Sequence, residues 1–222
     1  LGDTFNRFIR VVRDGSKERG KEIELEISGA ETELDKTVVE KIGDPLMHLV
    51  RNSLDHGIEP VDVRLERGKP ACGRVSLNAF HDSGNIVIQV SDDGGGLNRA
   101  RIRAKAVERE LIQANDSLSD KEILNLIFEP GFSTADKVSN LSGRGVGMDV
   151  VRRNITSLRG TVEVSSTEGV GSTFTIRLPL TLAIIDGFLI RVGKSSYVIP
   201  LDSVVECIER KNVSGERNFL NL

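Results

Sequence analysis

Apolar residues recur along this chain at two spacings, and each change of spacing predicts a new element. In "LGDTFNRFIRVVRDG", Phe5, Phe8 or Ile9, and Val12 return at helical spacing, which predicts a helix. "KEIELEISG" alternates instead, so Ile23, Leu25 and Ile27 share one face of a strand. "ELDKTVVEKIGDPLMHLVRNSLDHG" goes back to helical spacing. A helix in two pieces is expected there, divided near Gly43 to Pro45, because proline has no amide N–H to donate. "RVSLNAF" and "NIVIQVSD" flank "HDSG" as a β-hairpin, with His81 at its turn. A basic helix over about 98–112 follows, and Ser119 with Glu122 forms a capping box ahead of "ILNLIF". "SGRGVGMDVVRRNITSLRG" is a glycine turn opening a helix that Gly160 ends, and "TVEVSST" and "STFTIRLPL" form a second hairpin around "EGVG". Strands in hairpins on one side and helices on the other make an α+β, two-layer sandwich with a mixed, mostly antiparallel sheet. After "LPLT", "GFLIRV" and "YVIPLDSVVECIE" predict a short third hairpin, the start of a second β domain or a strand pair leaning on the first domain.

Four segments carry residues that packing alone does not ask for. On a helix over 44–57, at about 100° per residue, Leu46, Met47, Val50, Ser53 and Leu54 gather on one side. His48, Asn52 and Asp55 fall within roughly 60° of one another on the opposite side, with His56 at the edge. Asn, Asp and His are poor helix formers, whereas solvated helix faces usually carry Lys and Glu. "VSDDGGGL" ends a strand with Asp92, Gly94 and Gly96 in a D-x-G-x-G spacing. A carboxylate beside glycines lets a flat heterocycle approach the backbone and accepts from its exocyclic amine. In "SGRGVGMD", Gly143, Gly145 and Gly147 precede a helix, whose N-terminal amides and dipole suit phosphate. Neither a Walker A loop nor a G-x-G-x-x-G fingerprint is present. In "EGVGSTF", Gly169, Gly171 and Thr173 precede the last strand of the domain. Taken singly, the four also read as a polar face, an acidic turn, a tight loop and a hairpin turn.

Composition narrows the classes. The chain has 222 residues and a formal charge of −3, with Lys and Arg scattered except for a mild cluster at Arg99, Arg101, Arg103 and Lys105. A nucleic-acid partner, which needs a concentrated basic surface, is not expected. Nor is a membrane span, since no apolar run is long enough. Cys72 and Cys207 match no metal spacing, and a reduced, cytoplasmic compartment is the simplest reading.

In this order, the four segments resemble the ATP-binding (GHKL, or Bergerat) fold shared by histidine kinases, type II topoisomerases, Hsp90-type chaperones and MutL-type repair ATPases. "FEPGFSTADKVSNLSGRGVGMDVVRRNITSLRG", "HLVRNSLDHGIEP" and "LPLTLAIIDGFLIRV" narrow the resemblance to the CheA family of chemotaxis histidine kinases, over nearly the whole chain. The resemblance implies ATP and Mg²⁺ as cofactors, with Asn52 the Mg²⁺ ligand and His56 near the ion or phosphates. Asp92 would take the adenine amine and Gly94 and Gly96 would wall the base. Gly143, Gly145 and Gly147 would cradle the phosphates beneath a lid over about 113–142 that includes Ser133 and Thr134. Thr173 would support Asp92 from the next strand, and Asp55, Arg144 and Met148 join the nucleotide-binding set.

The hydrolysing relatives carry Glu four residues before the metal-binding Asn. Here that position is His48, which the resemblance makes the catalytic residue, able to accept a proton at neutral pH or to orient a substrate imidazole. None of His48, His56 and His81 sits in a phosphoacceptor helix, so the acceptor histidine is expected on a separate phosphotransfer domain. By the same resemblance, residues 1–14 end a dimerisation helix of a homodimer and 15–178 form the kinase domain. Residues 179–222 begin an SH3-like domain binding a CheW-type coupling protein and chemoreceptors, with response regulators served indirectly.

Overall fold

The computed structural model describes residues 2–132, 147–180, 187–193 and 195–200. Two compact units divide the chain, Leu1–Leu180 and Thr181–Leu222.

The first unit opens with helix α1 (Gly2–Glu18), whose Phe5, Phe8 and Val12 are buried in the main core while Ile9 is exposed. Strand β1 (Ile23–Ser28) alternates half-buried apolar with exposed polar residues, as its period of two requires. Helix α2 (Lys36–Asn52) begins where the Asp35 carboxylate accepts from Thr37 N at 2.8 Å. A π-helical turn (Ser53–Gly57) and the short helix α3 (Val61–Glu66) follow. Strands β2 (Gly73–Asp82) and β3 (Asn85–Asp92) are joined through Ser83 and Gly84, both at positive φ, which matches the twist of a two-residue hairpin. Helices α4 (Arg99–Glu108) and α5 (Asp120–Asn125), a 3₁₀ turn (Leu126–Phe128) and helix α6 (Met148–Ser157) precede strands β4 (Thr161–Thr167) and β5 (Gly171–Pro179). The sheet order is β1-β2-β3-β5-β4. Only β1 and β2 pair in parallel; every other neighbour in this sheet is antiparallel. Leu77 and Ala79 of β2, Ile86, Ile88 and Val90 of β3, Val162 and Val164 of β4 and Phe174, Ile176 and Leu178 of β5 form one core with the helices. That is the expected α+β two-layer arrangement. In the second unit, β6 (Gly187–Val192) and β7 (Ser195–Pro200) form an antiparallel hairpin.

Four local expectations are corrected. Helix α2 is continuous through Pro45 rather than divided near it. A mid-helix proline costs roughly 3 kcal/mol. Ile42, Leu46 and Leu49 are fully buried beside it, and each such side chain contributes about 1.5–3 kcal/mol, so packing outweighs the break. His81 is not a turn residue; it lies in β2, opposite Ile86. Helix α6 ends in a Schellman motif whose left-handed residue is Arg159, at φ 56°, with Gly160 N returning to Ile155 O at 3.0 Å. Finally, much of the expected lid is core. Ser119 and Glu122 cap α5 reciprocally, and Ile123, Leu124, Ile127, Phe128 and Phe132 are buried. The apolar run "ILNLIF" inside the expected lid supplies most of these buried side chains. Residues 133–142 of the expected lid lie outside the described residues.

Candidate functional site

The site forms where the end of α2, the end of β3 and the start of α6 meet. After Asn52 the helix widens, and Ile58 N donates to Ser53 O at 2.8 Å across five residues. Such π turns are rare and concentrate at functional positions. The carbonyls of this turn are held from outside the helix. Lys21 Nζ donates to Leu54 O at 2.7 Å, Asp55 O at 3.3 Å and Ile58 O at 2.7 Å. Arg19 pairs with the Asp55 carboxylate. Burial lowers the Lys21 pKa, with Asp55 pulling the other way.

Asp92 sits at the end of β3 on the helix-facing side. Ile86, Ile88 and Val90 point inward, and the period of two therefore turns Asp92 inward as well. Its carboxylate accepts from Ser53 Oγ at 3.1 Å and from Gly94 N at 3.0 Å. Burial pushes the Asp92 carboxyl above the ordinary carboxylate range, against the hydrogen bonds of Gly94, Ser53 and the Ser172 backbone, which pull it down. A half-buried carboxylate left with acceptor capacity is suited to a ligand that donates. The glycines after it are required by the chain's own backbone. A Cβ at Gly94 would lie 2.0 Å from Gly57 O, and Gly96, at φ 72°, would place one 2.3 Å from Thr167 O. Gly95 N closes the junction by donating to Gly57 O at 2.9 Å. The D-x-G-x-G loop therefore rests directly on the π turn.

At the other end, Asn52 Nδ2 lies 3.2 Å from Met148 Sδ, the first residue of α6. Gly147 is the N-cap position of that helix, so Asn52 adjoins the end of the glycine loop. His48 is one turn earlier on α2. Burial lowers its imidazole pKa below the ordinary 6.5, and Arg51 adds to this, while Asp149 and Asp55 act in the opposite direction. The imidazole is thus neutral at pH 7, the form that accepts a proton.

The structure brings His48, Asn52, Asp55, Asp92, Gly94, Gly96, Gly147 and Met148 to the junction of these three elements, with Asp55 paired to Arg19, the residue that follows α1. His56 is exposed on the π turn. Ser133, Thr134, Gly143, Arg144 and Gly145 lie outside the described residues. One expected contact is corrected. Thr173 does not reach Asp92; its hydroxyl pairs with Ser91 Oγ at 2.9 Å, and both belong to the strand positions that alternate with the inward ones. Ser172 is the residue opposite Asp92, and its hydroxyl meets Ser166 Oγ at 3.0 Å. Ser53, which helical spacing groups with the apolar side of the helix, also belongs to the site. A buried hydroxyl among Leu46, Val50 and Leu54 needs a partner, and that was the available signal.

Comparison with known proteins follows the same geometry. The family described as "Histidine kinase-, DNA gyrase B-, and HSP90-like ATPase" matches residues 41–182, from within α2 past the end of β5. The chain belongs to this family. Its place in the histidine kinase-, gyrase B- and HSP90-like ATPases gives it an ATP-binding fold. Among its relatives, the chemotaxis protein CheA of Bacillus subtilis is 53% identical over 94% of this chain and 32% of its own length. The sensor histidine kinase CheAY of Helicobacter pylori is 54% identical over 94% of this chain and 26% of its own. The chemotaxis protein CheA of Salmonella typhimurium is 53% identical over 92% of this chain and 30% of its own. The chain thus spans about a third or less of these relatives. Full-length ShkA, a solved structure in complex with AMPPNP, matches with a TM-score of 0.51 at 20% identity, over 80% of this chain and 29% of that one, and shows the shared fold. Among the described residues, no helix is long and apolar enough to cross a membrane.

Proposed function

We propose that this chain is the ATP-binding catalytic core of a CheA-type histidine kinase, transferring the γ-phosphoryl group of ATP to a histidine on a separate phosphotransfer domain. The observation that carries the reading is the pairing of two ends in one site. A half-buried acceptor, Asp92, stands at one side of the π turn, and His48 and Asn52 stand beside the start of α6 at the other. In this reading Asp92 accepts from the adenine amine, and Gly147 with the N-terminus of α6 faces the phosphates.

Asn52 fits a Mg²⁺ ion. Its Nδ2 is engaged by the Met148 sulfur, which leaves Oδ1 as a hard oxygen donor. When bound, the ion supplies charge neutralisation on the phosphates. His48, one turn away and neutral, takes the proton of the incoming imidazole or orients it. Phosphoryl transfer needs mainly positioning, so hydrolysis by a water with no carboxylate base is slow.

The assignment also carries a domain reading: 1–14 the end of a dimerisation helix of a homodimer, 15–178 the kinase domain, 179–222 the start of an SH3-like domain. That domain would bind a CheW-type protein and chemoreceptors, with response regulators downstream of the acceptor and the whole in the cytoplasm. The 94% coverage by relatives named CheA supports it. A single-turnover assay with labelled Mg-ATP and a histidine-bearing acceptor domain tests the reaction. Label on the acceptor supports the kinase. Free phosphate without acceptor label points to a hydrolysing ATPase, and nucleotide retained unchanged points to an ATP-sensing module.

A further inference from the structure

A cluster of charge packs against the D-x-G-x-G loop. Arg64, on α3, has a fully buried side chain. Its guanidinium forks onto the Asp93 carboxylate at 3.1 and 2.9 Å and reaches Glu59 at 3.2 Å. Its Nε donates to Pro70 O at 2.7 Å. Lys69, with 15% of its side chain exposed, donates to Glu59 at 2.9 Å, to Asp93 O at 2.9 Å and to Gly94 O at 2.7 Å. Arg67 reaches the same Glu59 carboxylate at 3.2 Å. Burial alone would raise the Glu59 pKa, but Lys69, the residue's own backbone N–H and Arg64 hold it below the usual range.

Two of these contacts bear on the nucleotide. The peptide between Asp93 and Gly94 supplies the N–H that donates to Asp92 Oδ1 at 3.0 Å. Lys69 grips the carbonyls on both sides of that N–H, which fixes the tilt of the peptide and with it one of the two donors aiming the Asp92 carboxylate. Ser53 supplies the other. The backbone of a glycine-rich loop has little steric restraint of its own, so an external clamp is what selects one conformation.

We propose that Lys69 is a positioning residue for base recognition: by clamping Asp93 O and Gly94 O it holds Asp92 in the orientation that accepts from the exocyclic amine of the nucleotide. Lys69 does not touch the base and acts through the loop. The inference rests on the reading of Asp92 as the adenine acceptor. It predicts an effect on base selectivity, which a general loss of stability does not produce.

The test compares the 222-residue chain with its Lys69→Met, Lys69→Gln, Lys69→Arg and Asp92→Asn variants. Calorimetry measures affinity for ATP and for inosine triphosphate, in which the amine is replaced by a carbonyl oxygen, and a thermal melt reports the fold. Loss of a charged donor should lower ATP affinity about 10-fold in Lys69→Met, while inosine triphosphate changes much less, so the preference collapses. Lys69→Arg keeps donors in place and should retain the preference. Glu59 remains paired with Arg64 and Arg67 in all three, which favours folding, and Lys69→Gln carries the same test should Lys69→Met not fold. A folded Lys69→Met or Lys69→Gln chain with the parent's preference overturns the inference. The Asp92→Asn arm separates the two levels. If Asp92→Asn keeps the preference, the adenine reading itself fails; if it loses it and Lys69→Met does not, only the role of Lys69 fails.

Discussion

Replacing Asp92 by Asn removes one charge and changes almost no volume, so its two consequences can be worked out separately. The first concerns the nucleotide. A hydrogen bond to a charged acceptor contributes about 1.5–3 kcal/mol, which is a factor of roughly 10–150 in Kd. Asn can also present its own N–H₂ to the amine, donor against donor, so the loss should reach the upper end of that range and leave no detectable binding at micromolar ATP. The second concerns the empty protein. The Asp92 carboxyl has its pKa raised by burial, so the folded state binds that proton more tightly than the unfolded chain does. At pH 7 the charge therefore opposes folding. Asn keeps an oxygen for Gly94 N, and Ser53 Oγ can accept from the new amide, so no buried group is stranded. The melting temperature of nucleotide-free Asp92→Asn should equal or exceed the parent's while calorimetry with ATP shows no heat of binding. Near-parental ATP affinity in the folded variant would remove Asp92 from the adenine site. A melting temperature several degrees lower would show that the carboxylate stabilises the fold, and that the burial argument has the wrong sign.

Other perturbations act on the phosphate side. His48→Gln should bind Mg-ATP like the parent yet transfer phosphate about 10²–10⁴-fold more slowly in a stopped acceptor assay; transfer within a few-fold of the parent would leave His48 a structural residue. Asn52→Ala should differ in kind, weakening ATP binding in Mg²⁺ but not in EDTA, as a titration in both buffers would reveal. Because the His48 pKa is lowered, the unfolded chain binds its proton first as pH falls. Stability should be flat in this respect above 6.5, decline below it toward the folded pKa, and lose that decline in His48→Gln; denaturant melts across pH 5–8 measure the difference. Incubated alone with Mg-ATP, the chain should acquire no acid-labile phosphate, and an added phosphotransfer domain should be labelled at a rate rising with its concentration.

Periodicity carried most of the fold. Period-two alternation placed β1 to β5, and the Ser119–Glu122 capping box was legible to the residue because a cap is a local device. What sequence spacing missed depends on tertiary context. Pro45 passes through α2 because the fully buried Ile42, Leu46 and Leu49 outweigh it, a balance that no local rule contains. Thr173 and Ser172 are adjacent, and only the parity of β5 relative to Asp92 decides which of them faces the site. Arg64, Arg67 and Lys69 look like a solvated charged stretch until the fold sets Glu59 and Asp93 among them. The His48–Asn52 face and the Asp92 turn were readable because their residue types are poor choices for plain structure.

The widened turn at Ser53–Gly57 makes spacing itself a determinant of this site. A π turn accommodates one more residue than the α-helical turn it replaces, so removing any single residue between Asn52 and Ile58 lets the helix continue in ordinary register. Ile58 N would then still reach Ser53 O, now at ordinary α-helical spacing, and Gly57 O would keep its place against Gly95 N. A one-residue deletion can thus be absorbed by closing the wide turn, whereas a two-residue deletion has no widening left to close and would rotate Gly57 O about 100° away from Gly95 N. Single deletions at 54, 55 or 56, read out by ATP binding, should give a graded series, where removal of any two of these residues together should give a null.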